Sequence, residues 1–370
     1  NSAGDFNNDG FADILIGAFG GDPQDRNKAG ETYVVFGRNT HFPPDFELSS
    51  LDGSNGFRLD GIDASDESGQ SVGAAGDVNG DGLGDFLIGA PGADPAGVIG
   101  AGQSYLVLGQ PGGFAEAIEL SRLDGADGLS ITGFGSEGHL GSRVAGGGDV
   151  DGDGLDDIVI TAAGAGESYL VLGRATGFPD QLQMSSLEGS AGFRLAAAET
   201  VDTADFSASI VSDFNGDGLD DILVGIQEST TGVVESFLVS GRDSGFPAHL
   251  DLSALDAIRF MGADANGLAR VVASGIGDVN GDGLGDILVG GHQIEPGTGA
   301  GYVVLGRDGL SVADIDLGAL DGNDGFRLEG IDLGDLLSFT VSGGGEAALA
   351  KLRLLLKTEA QISVFLFELW

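Results

Sequence analysis

Short apolar segments recur along the chain, and each of them directly follows an acidic loop that contains glycine. The segments begin at Asp13, Asp85, Asp157, Asp221 and Asp286 and read DILIG, DFLIG, DIVIT, DILVG and DILVG. Apolar, β-branched runs of this length that are bounded by glycine are typical of buried β-strands. Each acidic loop is therefore predicted to join two strands of a hairpin.

The strands form a repeating unit, which is clearest in residues 70–133. Strands are predicted at 70–76, 85–90, 103–109 and 128–133, and a connector with alternating leucines (118–125) is predicted to pack under the sheet. The acidic loops begin at Asp5, Asp77, Asp149, Asp213 and Asp278, so the unit repeats every 64 to 72 residues. Four antiparallel strands repeated around an axis make an all-β β-propeller. Five units are countable, with six or seven as alternatives if other segments or chains complete the ring.

Charge and composition narrow the function. The formal net charge is -42, which excludes nucleic acid as a partner because nucleic-acid binding needs a basic surface. The chain has no cysteine, and no apolar run reaches the roughly 18 residues of a membrane-spanning helix. We expect an extracellular, secreted or cell-surface protein that is stabilised by cations instead of disulfides. Because Asn1 falls within a predicted strand, we interpret the chain as a mature product or a fragment.

Each acidic loop has the pattern D-x-[DN]-x-D-G-x-x-D, which is typical of calcium binding. Positions 1, 3, 5 and 9 offer side-chain oxygens to one point, position 7 offers its backbone carbonyl, and Gly at position 6 allows the turn. The third loop carries four carboxylates and is predicted to bind most tightly. The predicted ligands of about five Ca2+ ions are Asp5, Asn7, Asp9, Phe11, Asp13, Asp77, Asn79, Asp81, Leu83, Asp85, Asp149, Asp151, Asp153, Leu155, Asp157, Asp213, Asn215, Asp217, Leu219, Asp221, Asp278, Asn280, Asp282, Leu284 and Asp286.

Other motifs are interpreted as structural. Residues 69–73 match G-x-S-x-G and residues 205–209 match D-x-S-x-S, but both occupy the slot of a first strand. Acid pairs such as Asp156 and Asp157 recur with the calcium loop, which favours a structural role over a glycosidase pair. The histidines occupy unrelated positions and are interpreted as solvated loop residues: His41, His139, His249 and His292. No catalytic residue is predicted, and the protein is not expected to be an enzyme.

The unit resembles the FG-GAP repeat of integrin alpha-subunit propellers and their bacterial relatives. The resemblance rests on Gly56–Gly61, on the loop Asp77–Asp85 and on Ile88–Pro91, and it extends from residue 1 to about residue 345. A phenylalanine-bearing strand recurs at Phe57, Phe193, Phe260 and Phe326, with Leu129 in the remaining unit. The resemblance implies four-stranded antiparallel blades, calcium loops between the first and second strands on the lower face, and ligand binding by loops of the opposite face. That family usually has seven blades.

Residues 346–370 depart from the repeat and are predicted to form a C-terminal tail of a short helix and a strand. An apolar stripe on this helix would be formed by Leu349, Leu352, Leu355 and Leu356. Just before the tail, residues 338–345 fit the slot of a first strand, but no calcium loop follows them. This strand is predicted to complete the first blade, either in the same chain or in another molecule.

The leading hypothesis, by resemblance, is a calcium-stabilised extracellular adhesion or recognition module for protein or glycan ligands. The ligand is expected to contact the connections between the second and third strands and between successive units, such as 91–102 and 62–69. A second hypothesis is a structural subunit that forms a homo-oligomer or filament by strand exchange. A third is a carbohydrate-active enzyme, which the lack of a separate catalytic constellation disfavours.

Overall fold

The structure is a computed structural model and describes residues 1–196, 203–228, 234–243, 245–252, 257–261, 271–291, 300–310 and 314–329. Within these ranges the regular elements are β-strands and three-residue 3₁₀ turns, with no longer helix. The strands are β1 (Ile14–Ala18), β2 (Glu31–Val35), β3 (Gly56–Asp60), β4 (Ser71–Gly76), β5 (Asp85–Ala90), β6 (Gln103–Val107), β7 (Ala117–Glu119), β8 (Gly128–Thr132), β9 (Leu140–Gly148), β10 (Asp157–Ala162), β11 (Glu167–Val171), β12 (Gln181–Gln183), β13 (Gly192–Ala196), β14 (Thr203–Val211), β15 (Asp221–Glu228), β16 (Val234–Val239), β17 (His249–Asp251), β18 (Ile258–Met261), β19 (Val271–Gly277), β20 (Asp286–Gly291), β21 (Ala300–Val304), β22 (Ile315–Asp316) and β23 (Gly325–Glu329).

The strands form five separate sheets, which we call blades one to five. Blade two has its four main strands in the order β4, β5, β6, β8, and these strands are antiparallel neighbours. Blades three, four and five repeat this order with β9, β10, β11 and β13, with β14, β15, β16 and β18, and with β19, β20, β21 and β23. The all-β fold of propeller-type blades is therefore confirmed, as are the predicted strands of the second unit.

The leucine-bearing connector does more than pack under the sheet. Its first residues form an extra strand that pairs in parallel with the last strand of the preceding blade: β7 with β3, β12 with β8, β17 with β13 and β22 with β18. A 3₁₀ turn follows, and it buries Leu120, Met184 and Leu317. The connector thus covers an otherwise open sheet edge with the chain of the next unit.

Apolar clusters join blade one to blade two, blade two to blade three, and blade four to blade five. One cluster joins Phe6 and Phe57 of the first unit to Phe86 and Tyr105 of blade two. The connector contributes to the same cluster, because the Phe114 ring stacks on the Phe57 ring with centroids 4.7 Å apart. The strands that contain Phe57, Phe193 and Phe260 are therefore core elements, because these three side chains are buried, whereas Phe326 is 41% exposed.

Blade one differs from the others at the edge formed by β1. Only an isolated bridge between Ser2 and Ile14 lies on that side, where other blades have a full first strand. As a result Ile16 is 37% exposed, whereas the corresponding Ile88 and Ile160 are 0% exposed.

The contacts divide the chain into two compact units. The first comprises Asn1–Ala208 with Arg242–Leu255. The second comprises Ser209–Gly241 with the described residues from 257 onward. No helix of the described residues is long and apolar enough to cross a membrane. The predicted strand at 338–345 and the predicted tail at 346–370 lie outside the described residues.

Candidate metal centres

The five acidic loops repeat one hydrogen-bond pattern. In the second loop, Asp77 accepts hydrogen bonds from the backbone N–H groups of Gly80, Asp81 and Gly82 at 2.7 to 3.0 Å. The Asn79 carbonyl accepts from the Asp81 N–H at 2.9 Å, and the Asp81 carboxylate accepts from the Leu83 N–H at 2.9 Å. The same bonds from positions 5, 6 and 7 recur in the loops at Asp5, Asp149, Asp213 and Asp278.

This pattern turns the side chains of positions 1, 3 and 5 to the inside of the loop. In the third loop a carboxylate oxygen from each of Asp149, Asp151 and Asp153 lies within 4.8 Å of the other two. Burial raises the pKa of Asp151, and the charges of Asp153 and Asp149 add to the increase. The carboxylates therefore repel one another, and a bound cation would relieve that repulsion.

The donor set fits a hard cation. Positions 1, 3 and 5 present only carboxylate and amide oxygens, which are the ligands that calcium and magnesium prefer. No histidine or cysteine takes part, so zinc is a poor fit. In the fifth loop burial acts to raise the pKa of Asp278, but hydrogen bonds from the Gly283, Gly281 and Asp282 N–H groups outweigh it and lower the pKa. The first ligand is thus held in its charged form.

The aspartate at position 9 has a structural role that the spacing does not reveal. The Asp85 carboxylate is fully buried, and its two oxygens accept from the Val78 N–H at 3.0 Å and the Gly109 N–H at 2.8 Å. It therefore clamps the start of the loop to the end of the third strand of its blade. The equivalent clamps are made by Asp13, Asp157, Asp221 and Asp286. Coordination by position 9, like that by the position 7 carbonyls, stays a prediction.

Burial controls the ionisation of these clamping carboxylates. It raises the pKa of Asp85, Asp157 and Asp221 to about 7 and that of Asp13 to about 6. The hydrogen bonds from backbone N–H groups act in the opposite direction. The charges at positions 5 and 1 raise the pKa of Asp85 further, and those at positions 3 and 1 raise the pKa of Asp157 further. A cation in the loop would favour the charged form of every member of this group.

Successive loops are also bonded to one another. The N–H of Asp156, at position 8 of the third loop, donates to the carbonyl of Asp77 at 3.1 Å, and Gly84 donates to Asp5 in the same way at 3.2 Å. The Asp156 carboxylate accepts from the Asp77 N–H at 2.7 Å. A Cβ at Gly76, whose φ is +77°, would lie 2.1 Å from that carboxylate, which explains the glycine. Both members of the Asp156 and Asp157 pair thus bind backbone, in agreement with their structural interpretation.

The fourth loop departs from the others at position 3. Asn215 is buried, and its amide donates to the Asp221 carboxylate at 3.1 Å and to the Ser240 hydroxyl at 3.0 Å. In the second loop the corresponding Asn79 amide donates to Asp81 instead. The carbonyl of Asn215 still accepts from the Asp217 N–H at 2.9 Å, so its oxygen keeps the inward direction.

The motifs set aside as structural lie in strands or make ordinary contacts. Residues 69–73 lead into β4, and residues 205–209 lie in β14. His139 is hydrogen-bonded to the Pro91 carbonyl at 3.0 Å, and His249 accepts from Arg194 at 3.0 Å. His249 is exposed and His139 is partly exposed, as expected for solvated residues, and each also holds a neighbouring segment by its hydrogen bond. His292 lies outside the described residues.

Three stretches of the chain match the FG-GAP repeat family: residues 1–35, 68–107 and 140–174. The matched stretches contain the first three acidic loops together with the strands that follow them. The resemblance that the repeat pattern indicates is therefore confirmed.

The chain is also similar to curated proteins of two kinds. It is 28% identical over 218 residues to phosphatidylinositol-glycan-specific phospholipase D of Rattus norvegicus, covering 58% of this chain and 23% of that protein. It is 37% identical over 169 residues to integrin alpha-IIb of Homo sapiens, covering 42% and 15%. With integrin alpha-V of Gallus gallus the identity is 29% over 234 residues, covering 60% and 19%. The chain thus aligns with less than a quarter of the length of these relatives.

Proposed function

We propose that this FG-GAP repeat chain is a calcium-stabilised extracellular recognition module for protein or glycan ligands. The observation that carries the proposal is the set of five acidic loops with one shared hydrogen-bond pattern, which directs oxygens of positions 1, 3 and 5 inward. Similarity to integrin alpha subunits supports recognition as the role of the blades. The similarity to integrin alpha subunits also supports an extracellular location.

In each loop the side chains at positions 1, 3 and 5 would hold the ion. Calcium would supply the positive charge that lets two or three carboxylates share one short loop. The position 9 aspartate and the hydrogen bonds from the next loop would then hold the adjoining strands in place, since both connect the loop to neighbouring backbone. The ligand would bind at the opposite edge of the blades, where the loops differ between units in length and sequence.

Calcium removal tests whether calcium stabilises the fold, as the proposal requires. A ligand that binds only the native state adds about 2.7 kcal/mol per site at a hundredfold excess over Kd. We therefore expect EDTA to lower the melting temperature sharply, calcium to restore it, and titration calorimetry to count about five sites. Sodium chloride at equal ionic strength is the control for a non-specific salt effect. A melting temperature that EDTA leaves unchanged would contradict the proposal.

A single-loop variant tests whether the oxygens converge as proposed. Asp153→Ala removes one member of the triad in the third loop and is expected to abolish one site while the other four remain. Asp45→Ala is the matched control, because it removes the same charge from an exposed position outside the loops. Loss of calcium sites in the Asp45 variant would show that net charge, not loop geometry, controls binding.

We propose no enzymatic activity for the chain. The similarity to a phospholipase D covers 23% of that protein, and the acid pair of the third loop is occupied by backbone hydrogen bonds. The test is incubation of the calcium-loaded chain with glycosylphosphatidylinositol and with oligosaccharides. Turnover of either that a catalytic amount of protein sustains would contradict the proposal.

A further inference from the structure

Three of the five acidic loops have an asparagine at position 3 that is followed directly by glycine: Asn79–Gly80, Asn215–Gly216 and Asn280–Gly281. The conformation of the loop accounts for both residues. The asparagine oxygen accepts from the N–H of position 5 at 2.9 Å in each case. The glycines at position 4 have φ angles of +76°, +78° and +82°, which glycine adopts without strain. The loop therefore favours glycine directly after the asparagine.

Asparagine followed by glycine is prone to spontaneous deamidation, because glycine has no side chain that shields its peptide nitrogen. This nitrogen attacks the side-chain amide carbon of the asparagine and forms a new C–N bond. The bond from that carbon to the amide nitrogen breaks, and ammonia leaves with the proton of the peptide nitrogen. Water then opens the cyclic imide. Cleavage of the new bond gives aspartate, and cleavage of the original peptide bond gives isoaspartate.

Hydrogen bonds hold both reacting groups in the second and fifth loops. The N–H groups of Gly80 and Gly281 donate to the position 1 carboxylates at 2.7 and 2.6 Å. The side-chain amides of Asn79 and Asn280 donate to the position 5 carboxylates at 3.0 and 2.8 Å. The groups that restrain the reaction are thus carboxylates at positions 1 and 5, which are also proposed ligands of the ion.

This restraint depends on the ion. The position 5 residues Asp81 and Asp282 are exposed, so water can replace their hydrogen bonds to the asparagine amides. Repulsion between the carboxylates of positions 1 and 5 favours an open loop when no cation is bound. Calcium would bind both carboxylates and keep the loop closed. Loss of the ion therefore releases the asparagine amide and the glycine nitrogen together.

The fourth loop restrains its asparagine in a different way. Asn215 is buried, and its amide donates to Asp221 at 3.1 Å and to Ser240 at 3.0 Å. Asp221 is fully buried at the start of β15, and Ser240 directly follows β16. Both partners belong to the sheet, so they hold the amide whether or not an ion is bound.

We propose that Asn79 and Asn280 are deamidation sites that calcium protects, and that Asn215 is protected with or without calcium. This inference rests on the calcium binding proposed above. The two products would change the loop in opposite directions. Aspartate gives the loop the four carboxylates that the third loop already has, so calcium should bind more tightly. Isoaspartate adds one methylene to the main chain before the glycine, which displaces its N–H from the position 1 carboxylate and should abolish the site.

Incubation of the full chain in calcium and in EDTA tests the dependence on the ion. The temperature is kept well below the melting temperature in EDTA, and deamidation is measured by mass spectrometry of peptides. At a hundredfold excess of calcium over Kd, Asn79 and Asn280 should react about a hundredfold more slowly than in EDTA, since about one loop in a hundred lacks its ion. Asn215 in EDTA should react about thirtyfold more slowly than these two, because two further hydrogen bonds must break.

Asn55 is the control outside the loops. It also precedes a glycine, but Gly56 is buried in β3. Its deamidation rate should not change with calcium as long as the chain is folded. A rate at Asn55 that increases in EDTA together with that at Asn79 would show that the whole chain opens, which would overturn local release of the loops.

Two matched variants test the restraint in saturating calcium, where the other four loops keep their ions. Asp81→Ala removes the carboxylate that holds Asn79 and should raise the rate at Asn79 about thirtyfold while Asn280 stays slow. Asp282→Ala should do the reverse. Isoaspartate and aspartate are distinguished by electron-transfer fragmentation of the peptides, and both products are expected.

Two variants of the fourth loop are the counterpart. Asp217→Ala removes the position 5 carboxylate there and should leave Asn215 slow, because Asp221 and Ser240 still hold its amide. Ser240→Ala removes one of these two hydrogen bonds and should raise the rate at Asn215 about fivefold.

Equal acceleration by Asp81→Ala and Asp217→Ala, each at the asparagine of its own loop, would overturn the inference, as would no acceleration by Asp81→Ala. Melting curves of the same samples separate this failure from that of the proposed function. Calcium stabilisation with either result refutes the inference alone. A melting temperature and an Asn79 rate that are both insensitive to calcium refute calcium binding and the inference with it.

Discussion

The third acidic loop allows a test in which one substitution should act in opposite directions with and without calcium. Asp151 occupies position 3, where each of the other four loops has asparagine. Asp151→Asn therefore gives the third loop the side chain that the other four loops have at position 3, such as Asn79 in the second loop. No packing defect is expected, and the change isolates one charge.

The magnitude without calcium follows from the distances. The oxygens of Asp149, Asp151 and Asp153 lie within 4.8 Å of one another, and two unit charges at that separation repel by about 0.9 kcal/mol in water. Asp151→Asn removes two of the three repulsive pairs. Screening at 0.1 M salt reduces the gain to about 1 kcal/mol. In EDTA we therefore expect a melting temperature that is higher by about 2–4 °C.

With calcium the sign should reverse. The number of charged ligands controls the affinity of such loops, and we expect the variant to bind the third ion about thirtyfold more weakly, which is about 2 kcal/mol. Since this loss exceeds the gain in the free state, the calcium-loaded variant should be less stable by about 1 kcal/mol. Differential scanning calorimetry in EDTA and in saturating calcium measures both changes.

The reciprocal variant is the control. Asn79→Asp adds a charge to the second loop and should lower the stability in EDTA and raise the calcium affinity of that loop. The reasoning would be refuted if Asp151→Asn changed the melting temperature in the same direction in both conditions. It would also be refuted if the Asn79 and Asp151 variants had the same effect in EDTA.

Two further outcomes are expected from buried contacts. Burial raises the pKa of Asp66 from 3.8 to about 6, so the native state keeps a proton that the unfolded state has released. The free energy of unfolding should therefore fall as the pH rises from about 4 to about 6, and Asp66→Asn should remove that part of the slope in urea titrations. Gly76→Ala should cost about 3 kcal/mol, since its Cβ would displace the Asp156 carboxylate. The control Gly154→Ala, at φ +88° in open space, should cost about 1 kcal/mol, and equal costs would contradict this account.

Local pattern was sufficient to predict the blade strands. The apolar segments after the second and third loops are buried on both faces, so β5 and β10 follow directly from a run such as Phe86 to Ile88. Their partners β6 and β11 have the same character and lie close in sequence. Such strands can be predicted because their burial depends on their own residues and on the adjacent hairpin.

Contacts between distant residues could not be predicted in this way. The clamp of Asp85 joins two N–H groups on either side of β5 and β6, and only the sheet brings them together. The parallel pairing of β7 with β3 depends on a register between two units, which the alternating leucines do not specify. Blade two has Gln103 and Ser130 where blade one has Glu31 and Arg58, and only the strand register shows that Ser130 lies opposite Tyr105 as Arg58 lies opposite Tyr33.

The bonds between loops bear on how calcium would act over more than one blade. The Asp77 carbonyl and N–H are both bonded to Asp156 of the next loop, and the Val78 carbonyl accepts from the Arg174 N–H at 2.8 Å. An ion that fixes Asp77 therefore also fixes the backbone groups of the second loop to which Asp156 and Arg174 of blade three are bonded. Coupling in repeat proteins decreases with each interface. Calcium in the second loop should accordingly stabilise blade two and also blade three, so the ion in the second loop should be partly cooperative with the ion in the third.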